Sequence, residues 1–199
     1  MATPAPPVVT IFEAYGSGAE EIGPRVAEEL GVPFHAQAFS SEQLEDPSTG
    51  DGLLARVFAA MGGSYAALEG PAVAMAQRDD HELVLRNTEW VLDAARGGGV
   101  IVGRNGALIL SSWPGALHVR LDAPVTRRVE RAARVAGISP ERAARRQRRE
   151  DLMRADMSLR LYGWDPREPT RYDLVLNTGT LDPVACAAVI VHAVRAKAR

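Results

Sequence analysis

The sequence predicts an α/β fold, a five-stranded parallel sheet with helices on both faces. Three observations predict it. Short, mostly apolar runs such as Val8-Val9-Thr10-Ile11-Phe12 and Val100-Ile101-Val102-Gly103 lack strict alternation, the pattern of strands buried on both sides. Segments of helical period separate those runs. Glycine-bearing turns follow several of them. The 199 residues are 46% hydrophobic, which suits one domain with a sizeable core.

Each element has a local reason. Val8–Phe12 reads as the first strand, and Tyr15-Gly16-Ser17-Gly18 as the tight turn leaving it. Ala19 to Leu30 carries a stripe of Ile22, Val26, Ala27 and Leu30 and is stopped by Gly31 and Pro33, so it reads as a helix. Pro24 is expected in its first turn, where amide hydrogens lack helical partners. Pro33 to Phe39 reads as a second strand. Breaks at Ser48–Gly52, Gly62-Gly63-Ser64 and Gly70-Pro71 leave helical pieces at 52–61, 71–77 and 81–96. The third strand is Val100–Gly103 and the fourth Leu117–Leu121. A helix from Pro124 to Ala136 follows. Another opens with Ser139 as N-cap and Pro140 in its first position and runs to about Tyr162. Tyr172–Asn177 reads as the fifth strand and Asp182–Ala198 as the last helix. The organisation is one domain over 1–199, with a core of 8–39 and 97–199 and a helical insert at 40–96.

Composition narrows the chemistry. Among the 23 basic residues the only lysine is Lys197, third from the end, so Schiff-base chemistry is not expected and a lysine-bearing Walker A loop is excluded. The single Cys186 excludes an internal disulfide framework and a cysteine zinc site, and the four scattered histidines form no metal-binding pair. There is no signal-peptide pattern and no stretch of about 18 apolar residues, so a cytoplasmic protein that spans no membrane is expected. Charge is uneven. Residues 127–160 hold 11 Arg against 5 acids, whereas 1–126 hold 7 Arg against 16 acids. Such clustering suits a polyanion partner. The arginines have no interleaved aromatics and the pI is near 6.1, so nucleic acid is not expected.

In parallel sheets ligands bind beyond the carboxyl ends of strands. That rule selects Tyr15–Gly18, Gly103–Asn105, Asp122–Pro124 and Asn177–Gly179. A glycine turn between a buried strand and a helix can cradle phosphate with its amide hydrogens and the helix dipole. Against GxxxxGK[ST], only Gly18 matches. Glu13 takes the first glycine place, Ala19 the lysine place and Glu20 the Ser/Thr place. Glu13, Glu20 and Glu21 oppose phosphate there unless Glu20 carries Mg²⁺.

The sequence resembles the cytidylate kinase-like family, relatives of the P-loop nucleoside monophosphate kinases. The resemblance rests on Thr10-Ile11 with Tyr15-Gly16-Ser17-Gly18, Glu21-Ile22, Leu30-Gly31-Val32-Pro33-Phe34 and Val100-Ile101-Val102-Gly103-Arg104. It continues through Leu117–Pro124, Arg128-Val129-Glu130-Arg131, Asp151-Leu152-Met153-Arg154, Leu161–Trp164 and Tyr172–Thr178, in order over about 10–192. It implies a nucleoside monophosphate kinase fold, with 40–96 as the acceptor-binding insert and 139–163 as an Arg-rich lid. It implies transfer of the γ-phosphate of ATP, with Mg²⁺, to CMP or a similar monophosphate. Gly16, Ser17, Gly18 and Ala19 would wrap the donor phosphates, and Arg104 with Asn105 would hold the acceptor. Arg148, Arg149, Asp151 and Arg154 would be the catalytic lid set. Asn177, Thr178 and Gly179 would form the adenine rim. Arg127, Arg128 and Arg131 could flank the donor, although a solvated face is expected for two of the three. Trp90, Trp113, His118 and Cys186 read as structural, and Trp164 as structural or a nucleotide cover. This family often lacks the Walker lysine but commonly carries Arg near places 13 and 20, where this chain has Glu. A non-catalytic nucleotide-binding relative is therefore the alternative. The oligomeric state is left open.

Overall fold

The computed structural model describes residues 5–38 and 71–197. Five parallel strands form one sheet: β1 (Val8–Glu13), β2 (Phe34–His35), β3 (Gly99–Val102), β4 (Leu117–Asp122) and β5 (Leu174–Asn177). Their spatial order is β2-β3-β1-β4-β5. The register sets Val9 beside Val100 and Leu117, and Ile11 beside Val102 and Val119. The chain leaves β1 for the β2 edge, returns to β3, then crosses β1 to reach β4. The carboxyl end of β1 is thus flanked by strands reached in opposite directions, the place where such sheets bind ligands.

Two layers of helices explain the apolar runs. On one face α1 (Ala19–Leu30) and α6 (Pro183–Lys197) cover Val9, Ile11, Val100, Val102, Val119 and Leu121. On the other, α2 (Pro71–Arg96) and the short α3 (Gly106–Ile109) cover Val8 and Ile101 through Val91, Ala95 and Leu110. Burying each such aliphatic side chain contributes roughly 1.5–3 kcal/mol. Helices α4 (Val125–Ala136) and α5 (Pro140–Tyr162) pack together through Ala132 and Ala143, with Tyr15 between them and the sheet.

Several boundaries differ from the sequence expectation. Pro24 is the sixth residue of α1, beyond the first turn. The ring lies on the exposed side of the helix, where the loss of one amide donor costs least, which makes the proline tolerable. Strand β2 is only two residues long, and Phe39 lies outside the described residues. So does the helical piece expected at 52–61. The pieces expected at 71–77 and 81–96 are one helix, because Arg78-Asp79-Asp80 is polar but carries no Gly or Pro to break it. α5 is unbroken for 23 residues and ends at Gly163. Helix α3 and the 3₁₀ turn Pro169–Arg171 are additional to the expected elements. Cys186 is buried, but its neighbours on α6 are Ala187, Ile190, Val191 and Val194, and Val184 faces solvent.

At the amino ends of the strands, Lys197 fastens α6 down. Its Nζ donates to the Ala116 carbonyl at 2.7 Å and to both Asp173 oxygens at 2.9 Å. Asp173 also accepts from the His118 amide at 2.8 Å. His118 is a packed histidine, its Nδ1 2.8 Å from the Thr10 hydroxyl.

Candidate functional site

Two cavities lie side by side over the carboxyl ends of β1 and β3. The first, about 440 Å³, opens over the turn from β1 to α1. Gly16 and Gly18 have φ of +78° and +91°, which only glycine adopts without strain. A Cβ on Gly16 would also stand 2.5 Å from the Arg128 carbonyl, so the turn is pressed against α4. The amides of Gly18 and Ala19 converge as an anion nest, and an anion from the chain itself sits there. Glu13 Oε1 accepts from the Gly18 amide at 2.8 Å and from the Ala19 amide at 3.2 Å. The other carboxylate oxygen accepts from Gln37 Nε2 at 3.1 Å. The geometry therefore fits an anionic group. Ser17 is fully buried and its hydroxyl has no hydrogen-bond partner. Glu20 and Glu21 line the same cavity at the first turn of α1.

Helices α4 and α5 reach this turn with charged groups. Asp151 Oδ1 accepts from the Tyr15 amide at 2.8 Å, and its Oδ2 accepts from Arg128 Nη1 at 2.7 Å and Gln147 Nε2 at 2.8 Å. Arg128 is 6% exposed and also donates to the Ala123 and Tyr15 carbonyls. Arg131 donates to the Gly16 carbonyl at 3.0 Å and to Thr178. So two of the three arginines at 127, 128 and 131 face the turn, and only Arg127 is solvated, paired with Glu130. The expectation of a solvated face for two of them is corrected: residues 128 and 131 are three apart and share the face of α4 that meets Gly16.

Arg154 stands where the cavities meet. It donates to the Glu13 carbonyl at 2.7 Å, to Gln37 Oε1 at 3.0 Å and to Glu150 Oε2 at 2.9 Å. Glu13, Gln37 and Arg154 line both cavities. Of the four lid residues singled out in the sequence, Asp151 and Arg154 come together at the turn. Arg148 and Arg149 do not: they lie on the exposed face of α5, opposite the buried Arg146, Gln147 and Glu150.

The second cavity, about 360 Å³, has mostly apolar and aromatic walls. Arg104 lies at its floor with the guanidinium carbon 3.8 Å from the centre of the Trp90 ring. Arg104 and Asn105 both adopt left-handed backbone conformations, φ +56° and +55°, a cost tolerated where a side chain must be aimed. The Arg104 Nε–H is buried without a partner, and burial pulls the guanidinium below its ordinary pKa. A phosphate suits that donor. Asn105 Oδ1 accepts from Trp164 Nε1 at 2.8 Å. Asn87 Nδ2 donates to the Arg104 carbonyl at 2.8 Å and contacts the Tyr162 hydroxyl at 2.7 Å. Asp80 pairs with Arg160 at 2.8 Å, a second tie between α2 and α5. Sequence reasoning missed Gln37, Asn87 and the use of Trp90. A polar Asn87 three residues before Trp90 on one helix face was the available signal.

The third expected group is less unified. Thr178 is buried and joined to the β1–α1 turn through Arg131. Asn177 Oδ1 accepts from the Gly179 amide at 3.0 Å, a local turn at the end of β5. Among the described residues no cluster of three His, Cys, Asp or Glu side chains could hold a metal by itself, and no helix is long and apolar enough to cross a membrane.

Residues 8–180 match the cytidylate kinase-like family. A cytidylate kinase from Ignicoccus hospitalis is 29% identical over 187 residues, covering 92% of this chain and 96% of that one. A uronate isomerase from Corynebacterium glutamicum is 43% identical over 100 residues, which is 50% of this chain but only 19% of that protein's length. The crystal structure of an uncharacterized protein from Eubacterium ventriosum superposes with a TM-score of 0.65 at 18% identity, covering 96% of this chain and 99% of that one, a likeness of fold.

Proposed function

The chain belongs to the cytidylate kinase-like family, and from that premise we propose that it is a nucleoside monophosphate kinase, moving the γ-phosphoryl group of Mg-ATP to CMP or a similar monophosphate. One observation carries the reading: two cavities of nucleotide-compatible size meet at a wall made by Glu13, Gln37 and Arg154. One contains an anion nest and the other a buried guanidinium donor without an acceptor. Two nucleotides seated there would point their phosphates at each other across Arg154.

Phosphoryl transfer asks for alignment and charge neutralisation more than for a side-chain base. In this reading the amides of Gly16–Ala19 hold the donor phosphates. Arg104 grips the acceptor phosphate, and the aromatic and methionine side chains above it surround the base. Arg154 supplies fixed positive charge at the reacting oxygens. Asp151 and Arg128 position the turn, while Asn177, Thr178 and Gly179 border the adenine. Mg²⁺ commonly takes one or two carboxylates and fills its shell with phosphate oxygens and water, so Glu20 or Glu13 would suffice with no larger cluster. Bound there, it would neutralise charge between the donor phosphates.

A coupled ADP-release assay with ATP and a panel of monophosphates tests the reading. CMP-dependent turnover is expected, reduced at least about a hundredfold by Arg154→Ala. No monophosphate-dependent ADP release would sink it. The second reading, a nucleotide-binding relative without turnover, draws support from Glu13 seated in the nest. Calorimetry showing ATP binding in a protein inactive with every monophosphate would favour it.

A further inference from the structure

We propose that Glu13 is a specificity-determining residue of the donor site: its carboxylate holds the anion nest against phosphates that arrive without a divalent cation and yields it to a cation-loaded polyphosphate. The inference rests on the donor-site reading above. Glu13 makes two charge-assisted bonds to the amides at the start of α1 and a third to Gln37. Its backbone is fixed in β1, and its own carbonyl is held by Arg154. A tethered carboxylate on an immobile strand competes at high effective concentration with any diffusible anion.

A bare phosphate that displaced it would leave a buried carboxylate, 7% exposed, without its partners and beside new negative charge. Glu20 and Glu21 line the same space and add to the repulsion. The arginines that line the same space, Arg131, Arg146 and Arg154, match the three carboxylates without outweighing them, and Arg154 is already paired with Glu150. A divalent cation on the polyphosphate reverses the sign: the same carboxylates then attract the incoming group. Ser17, with its buried hydroxyl unpartnered while Glu13 fills the nest, offers one more donor in the same turn.

The test is calorimetry on the full chain, wild type and Glu13→Gln, with ATP and with inorganic tripolyphosphate, each in EDTA and in excess MgCl₂. Wild type is expected to bind the Mg²⁺ forms at least about tenfold more tightly than the metal-free forms. Glu13→Gln should bind the metal-free forms about tenfold more tightly than wild type does, collapsing the ratio toward one. An unchanged ratio in Glu13→Gln, or equal wild-type affinities in both buffers, overturns the proposal. If the ratio is unchanged while the protein turns over CMP, the kinase reading survives alone. Absence of ATP binding in every condition ends both. Gln37→Ala removes one bond to the Glu13 carboxylate and should shift the ratio partway. It keeps the test decisive if Glu13→Gln melts early by circular dichroism.

Discussion

Arg104 is supported from below by Trp90 and aimed by two consecutive left-handed residues, and its buried Nε–H has no acceptor among the described residues. A lysine there would keep the charge but lose the planar stack and the fork geometry. Arg104→Lys is therefore expected to raise KM for the monophosphate about 10- to 100-fold, the loss of a charged hydrogen bond, with a much smaller change in KM for ATP. Steady-state kinetics with both substrates varied reads this, and an equal rise for ATP would remove Arg104 from the acceptor side. Gly16 makes a prediction about stability. Gly16→Ala forces a side chain into a left-handed turn and against the Arg128 carbonyl, which should cost about 2–5 kcal/mol and show as a large drop in Tm.

Among the elements, α5 decides most of the site. It begins at Ser139, whose hydroxyl accepts from the Arg142 amide at 3.2 Å, and it sends Asp151, at its midpoint, to Tyr15 and Arg128, and Arg154, one turn later, to Glu13. Ser139→Ala should cost about 1 kcal/mol, or a Tm lower by roughly 2–4 °C. Asp151→Asn keeps an acceptor for the Tyr15 amide but breaks the ion pair with the buried Arg128. The expected loss is larger, about 2–3 kcal/mol in a denaturant melt. The strands, α1 and the start of α5 were legible because apolar runs, Gly31 and the Ser-Pro pair act locally. The ligand-edge rule pointed to Gly103–Asn105 and so to Arg104, whereas Arg154 came only from the family resemblance. What was illegible depends on helix phase and tertiary contact. Arg148 and Arg149 resemble Arg154 in sequence but face solvent. Glu13 reads as an acid that opposes phosphate from the first glycine place, and only the structure shows its side chain folding back on the amides five and six residues later.

Over the whole molecule, stability should follow histidine protonation. Burial lowers the pKa of both His118 and His35 below the ordinary 6.5, with Arg104 adding to the effect at His35. The unfolded chain then takes up these protons first as pH falls. Stability is full above 6.5 and declines as pH drops from 6.5 through the folded-state values. His118→Gln should flatten that slope in melts run across pH 7.5 to about 5; an unchanged slope would assign it to other groups. Ligands act in the opposite sense. ATP with Mg²⁺ at about 100 times its Kd should add about 2.7 kcal/mol, visible as a Tm increase. The five-strand order already implies this coupling of site and scaffold, since the turn proposed to hold the donor is the exit of the central strand.

Lys197 gives the molecule a chemical polarity. Its ammonium group is the one side-chain amine in the sequence, and it is anchored at Ala116 and Asp173, at the end of the sheet away from both cavities. Acylation of Lys197 would therefore mark the base of the molecule, loosening α6 there while leaving the side chains that line both cavities chemically untouched. Immobilisation through Lys197 would present both cavities outward to solution.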